Sequence, residues 1–264
     1  MTAFHIIAGT TERPALPRVR SISIADLRDA LAMGFDDFRS MPTHAIFLCI
    51  IYPVVGLFFA RLAFGYGVLP LLFPLAAGFA LIGPFAAIGL YELSRRREAG
   101  LDTSWTHAFD VLRSPAIGAI AVMALLLMVL FLAWLATAQA IYQSLFGVLA
   151  PKAVMPFLRE VFTTAEGFRL IYLGVGAGFI YAVIALAVSV VSFPLLIDRD
   201  VGAAVALLTS VRVVLKNPST MLAWGAIVVG LLIVGSLPFF IGLAVVLPLL
   251  GHATWHLYRK VIIG

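Results

Sequence analysis

Long apolar runs alternate along the chain with short segments of mixed character. Six runs are long enough to matter: roughly 44–64, 68–91, 116–141, 168–195, 220–237 and 239–258. A helix needs about 20 mostly apolar residues to cross a bilayer. The pattern therefore predicts six transmembrane helices. The fifth and sixth runs are interrupted only at Ser236-Leu237-Pro238, which predicts a tight hairpin. The six then pair into three hairpins, and the fold class is an all-α membrane protein.

Each odd-numbered run follows an amphipathic segment. These segments lie in SIADLRDALAMGFDDFRSMPTHAIF (23–47), SWTHAFDVLRSPAIGAI (104–120) and AAVALLTSVRVVLKNPSTMLAWGAI (203–227). In the first, Ile24, Leu27, Leu31, Phe35 and Phe38 recur three or four apart, while Asp26, Asp29, Asp36 and Asp37 fall on other faces. One apolar stripe on a short helix predicts an element lying on the cytoplasmic membrane surface. Ser23 and Asp26 resemble a capping box at its start. The segments end at Arg39-Ser40-Met41-Pro42, Arg113-Ser114-Pro115 and Lys216-Asn217-Pro218. Proline there ends one helix and suits the first turn of the next. The unit of surface helix, span, return and span occurs three times, as 23–97, 103–200 and 203–260. Residues 1–22 read as a polar tail, and 23–262 as a single six-helix membrane domain. Between the third and fourth runs, Val154, Phe157, Leu158, Val161 and Phe162 predict a short outer helix, with Thr163 and Glu166 as a capping box for the next span.

Composition sharpens the placement. The chain has 264 residues, 62% hydrophobic and 12% charged, and its mean hydropathy is +1.09. Soluble domains carry about 25% charged residues, so lipid is the expected solvent. The net charge of +5 comes from arginines and lysines that flank the apolar runs. With the N-terminus placed in the cytoplasm, 14 of the 18 basic residues fall on that side and 4 on the other. By the positive-inside rule both termini are cytoplasmic. No basic domain exists for nucleic acid. The single cysteine, Cys49, leaves no intrachain disulfide and no cysteine-based zinc site. The first 20 residues lack the basic start and apolar core of a cleavable signal peptide.

Candidate chemistry is sparse. His252 and His256 are four apart, hence on one helical face, and that spacing can hold a metal or place a haem ligand. Beside Trp255, Tyr258, Arg259 and Lys260 they also read as an ordinary aromatic-polar belt at the membrane interface, which is the favoured reading. His107 and His44 are expected at the same cytoplasmic level. Tyr91-Glu92 and Asp198-Arg199-Asp200 end two runs on that side, either as plain helix ends or as a pocket of charge. Gly174 and Gly178, and Ala226 and Gly230, space small residues for helix packing, within the chain or against a partner. No Asp, Glu, Lys or Arg lies near mid-run, which counts against an ion-coupled pump. No phosphate loop, nucleophile elbow or metalloprotease motif is present. An enzyme is not expected, and neither is a cofactor, with haem or metal at His252 and His256 as the alternative.

The stretches PTHAIFLCIIYPVVG, GFALIGPFAAIGLYELSRRREAG, SVVSFPLLIDRDVGAAVA and LPLLGHATWHLYRK together resemble an uncharacterised family of bacterial predicted integral membrane proteins, a domain of unknown function. The resemblance runs over about 25–262 and implies a bacterial inner-membrane location. It carries no activity and no catalytic residue. The expected role is a non-enzymatic accessory, assembly or scaffold component, whose partners are the bilayer and a membrane complex or second copies of itself. A permease or lipid-handling protein is the first alternative, and a haem- or metal-binding membrane protein the second.

Overall fold

The computed structural model describes residues 16–41, 69–81, 83–149, 154–237 and 242–263, with Ile6 and Gly56 as single positions. The predicted span 44–64 apart from Gly56, with His44, and Pro238 lie outside the described residues. The elements, in order, are β1 (Arg18–Val19), α1 (Ile24–Ser40), α2 (Leu72–Leu81), α3 (Gly83–Ala86), α4 (Ile88–Glu98), α5 (Ile117–Phe146), α6 (Val154–Thr163), α7 (Ala165–Ser189), α8 (Ser192–Asp198), α9 (Gly202–Lys216), α10 (Pro218–Ser236), α11 (Leu243–Val261) and β2 (Ile262–Ile263). Short 3-10 helices cover Leu69–Leu71 and Trp105–Arg113. Three stretches of the described residues are long and apolar enough to cross a membrane: Ile117–Phe146, Ala165–Asp198 and Pro218–Ser236. Only 28% and 22% of the most apolar windows of the first and third are buried inside the chain, so most of that apolar surface faces outward, as lipid requires.

The predicted second run is helical over most of its described part, with a turn at Ala87. Its described part is divided among the Leu69–Leu71 turn, α2, α3 and α4. Pro70, Pro74, Pro84 and Gly83 fall in this stretch, and each proline removes a donor from the helical ladder. The described part of the sixth run lies largely in α11.

The chain divides into two units. One comprises 1–53, 83–125 and 186–264. Here α1 packs along α11, and the two backbones meet at Gly34. A Cβ on Gly34 would stand 2.5 Å from the Ala253 nitrogen. Gly251 on α11 likewise seats the Leu90 side chain of α4, whose Cδ1 would lie 2.5 Å from an added Cβ. The capping box is present: the Ser23 N–H donates to Asp26 Oδ2 at 2.8 Å. The face that α1 buries overlaps its apolar stripe only in part. Leu27, Ala30, Gly34 and Asp37 are buried, whereas Ile24 and Phe35 are exposed. Close packing on α11 selects small side chains, which overrides the wider stripe.

The predicted tail also has structure at its end. β1 pairs antiparallel with β2, Arg18 opposite Ile263 and Val19 opposite Ile262. Buried Asn217, at the corner between α9 and α10, accepts from the Ile22 N–H at 2.9 Å and donates to the Arg20 carbonyl at 3.2 Å. Pro218 occupies the first turn of α10, as the sequence pattern predicts.

The other unit comprises 54–82 and 126–185. Its core gathers Leu81, Trp134, Ala138 and Ala185. The Trp134 indole donates to the Pro74 carbonyl at 2.8 Å and packs on Tyr181 with ring centroids 5.7 Å apart. The predicted helix after the third run is present as α6, with Phe157 and Val161 buried against Tyr142. The cap of α7 is displaced by one residue. Thr164 Oγ1 accepts from the Gly167 N–H at 3.0 Å, while the Thr163 hydroxyl donates back to the Arg159 carbonyl.

Candidate functional site

Three segments distant in sequence converge on Asp37. It sits on the buried face of α1, 2% exposed. Its Oδ2 accepts from the Ser94 hydroxyl of α4 at 2.5 Å and from His256 Nε2 of α11 at 2.9 Å. Its Oδ1 accepts from Arg97 of α4, which also donates to Asp36 at 2.7 Å. His252, one turn before His256, places Nδ1 2.7 Å from Ser94 Oγ and 3.8 Å from Asp37 Oδ2.

The helical spacing explains the convergence. His252 and His256 share a face of α11, and that face meets α1 where Gly34 and Ala253 allow the backbones to approach. Arg97 lies in the last turn of α4, a favourable place for a cation near the helix carboxyl end. The following turn closes with Gly100 at φ 68° and the Leu101 N–H bonded to the Arg96 carbonyl.

Proton positions follow from these partners. The Ser94 hydroxyl donates to Asp37, so Ser94 Oγ accepts from His252 Nδ1–H. Neutral His252 then carries a bare Nε2. That atom is buried and has no hydrogen-bond partner among the described residues. Burial alone would raise the Asp37 carboxyl. Hydrogen bonds from His256, Ser94 and Arg97 and the charge of His256 outweigh it, and hold the group below the ordinary carboxylate range.

The two histidines are thus buried inside the fold. Their neighbours share this fate. Trp255 is 1% exposed and donates to Glu98 at 3.0 Å, and the buried Tyr258 hydroxyl donates to Asp198 at 2.5 Å. Both were expected in an interfacial belt. Tertiary hydrogen bonds from α4 and α8 replace the water that an interface would supply.

His107 joins neither histidine. Its Nδ1 lies 2.6 Å from Asp110 and its Nε2 3.0 Å from Asp102. Hydrogen bonds from its ring help to hold the Asp102 and Asp110 carboxyls low, after the Ser104 backbone in the case of Asp102. Among the described residues no three His, Cys, Asp or Glu side chains are spaced to hold a metal ion.

Glu92 and the Asp198-Arg199-Asp200 run do meet. With Arg95, Arg96, Asp110 and Arg113 they line a cavity of about 350 Å³. Of the small residues, Gly178 packs on the Trp134 ring, 3.2 Å from an added Cβ, while a Cβ on Gly174 or Gly230 would meet nothing within 4 Å. Ala226 is exposed. Asp37 and Ser94 were not singled out for chemistry from the sequence. The signal for Asp37 is its register with Leu27, Ala30 and Gly34 on the small-residue face of α1.

No curated protein and no solved structure matches the chain. His252 and His256 lie beyond the one matched segment. Residues 71–198 match the model of an uncharacterised family described as predicted integral membrane protein (DUF2189).

Proposed function

We propose that the chain is a non-enzymatic accessory, assembly or scaffold component of a bacterial inner membrane, multi-pass, with both termini cytoplasmic. The carrying observation is the use made of its buried ionisable groups. Asp37 spends its oxygens on Ser94, Arg97 and His256, and neither cavity of about 350 Å³ is lined by it. Such a cluster fastens α1, α4 and α11 together and presents no reacting group to a substrate. The outward apolar surface of α5 and α10 supports lipid and membrane partners as the neighbours. Six crossings in three hairpins belong to this reading, supported by the six apolar runs and the 14-to-4 distribution of basic residues.

The test is affinity isolation of the full chain from its native membrane in mild detergent, followed by mass measurement of the intact assembly. The expected result is a partner at fixed stoichiometry. A chain that isolates alone and drives solute flux in liposomes would replace this reading with a permease.

A further inference from the structure

The cavity beside Arg113 is built from chain ends that border membrane helices. Its lining runs through Arg113-Ser114-Pro115-Ala116, which lead directly into the apolar stretch Ile117–Phe146. It continues through Leu196 to Asp200, which close the apolar stretch Ala165–Asp198. One apolar stretch thus begins at the cavity and the other ends there, and for two membrane crossings such ends belong at the headgroup level. The short helix Trp105–Arg113 leaves Phe109 49% and Leu112 67% exposed beside it, an apolar face suited to lipid.

The charges in the lining are unequally engaged. Glu92 is held by Arg95 through two bonds of 2.7 Å. Asp110 is held by His107 at 2.6 Å and by Arg96 at 3.4 Å. Asp198 accepts from Tyr258 and lies 3.5 Å from Arg259. Asp200 is engaged as well. The carboxylates are thus largely neutralised from within. Two guanidiniums are held less: Arg113 has an 88% exposed side chain whose ion pair with Asp110 spans 3.9 Å, and among the described residues Arg199 pairs through Nε with its neighbour Asp198 at 3.3 Å. A guanidinium carries five N–H donors in a planar fork that fits phosphate oxygens. We propose that this cavity holds the phosphate of a phospholipid headgroup between Arg113 and Arg199. A space of about 350 Å³ lies at the small end of ligand pockets, the size for a headgroup and not for a whole lipid.

The test is native mass spectrometry of the full chain in detergent, titrated with dioleoyl phosphatidylglycerol, with dioleoylglycerol and with inorganic phosphate. The phosphatidyl lipid is expected to be retained at one per chain, and dioleoylglycerol, with the same acyl chains and no phosphate, to be lost. Arg113→Gln and Arg199→Gln should each weaken retention about tenfold, consistent with loss of a charge-assisted contact. Arg212→Gln, an exposed arginine of α9 outside the cavity, should change nothing. Thermal melting of each variant verifies folding, and the exposure of Arg113 makes Arg113→Gln the safe one. Equal retention of lipid by Arg113→Gln, or equal retention of dioleoylglycerol, overturns the site. Inorganic phosphate that displaces the lipid at matched concentration overturns the lipid as the source of the phosphate.

Discussion

Removing the Asp37 carboxylate should loosen three helices at once. In Asp37→Ala, Ser94, His256 and Arg97 lose a shared acceptor inside the fold. Breaking a buried pair by deleting one partner costs about 3–5 kcal/mol. Arg97 keeps Asp36, and its side chain is 34% exposed. The lower end therefore applies, about 3 kcal/mol. At roughly 2–4 °C per kcal/mol for a chain of this size, that is a fall of about 6–12 °C in Tm. Asp37→Asn keeps the shape but turns an acceptor into a donor facing donors, and should cost about 2 kcal/mol. The pH dependence has a definite sign. Asp37 is held below its unfolded value, so its contribution is complete above about pH 4 and is lost as pH falls through the lower folded value. The groups facing it are Asp36 on its own helix, Ser94 and Arg97 on α4, and His252 and His256 on α11. Asp37→Asn should therefore lack the Asp37 part of the wild-type acid transition. Melting in one detergent, followed by Trp fluorescence, reads both effects. A Tm for Asp37→Ala within about 1 °C of wild type at neutral pH would refute the reasoning.

Other perturbations separate neighbouring residues. Gly34→Ala would place a Cβ 2.5 Å from the Ala253 backbone nitrogen, and overpacking against backbone should cost about 1–3 kcal/mol in thermal unfolding. Asn217→Ala leaves the buried Ile22 N–H without its acceptor, so about 1–3 kcal/mol is expected, with faster hydrogen exchange across 18–22. Thr164→Ala should cost about 1 kcal/mol as loss of a helix cap, and Thr163→Ala markedly less, since only Thr164 accepts from an N-terminal amide of α7.

The reach of the sequence follows from what is local. The Ser23–Asp26 cap and the Arg113-Ser114-Pro115 and Lys216-Asn217-Pro218 boundaries depend on neighbours within a turn or two, and the described elements carry them. Which face of α1 turns inward does not. Asp36 and Asp37 are adjacent and chemically alike, and only the docking of α11 at Gly34 exposes one and buries the other. The partners of Asp37 lie 57, 60 and 219 residues away, beyond any spacing rule. The i, i+4 histidines were visible as a pair sharing a face. Their burial was not, because Trp255, Tyr258, Arg259 and Lys260 make the same stretch read as a membrane edge.

The most direct test of the fastening role of the Asp37 cluster is an optical spectrum with metal analysis on the full chain, gently extracted from its native membrane, alongside His252→Ala. Absorbance from aromatic side chains alone, with metal far below one per chain in both proteins, is the predicted result. About one haem or metal per chain, lost in His252→Ala, would make the bare His252 Nε2 a ligand and contradict the account.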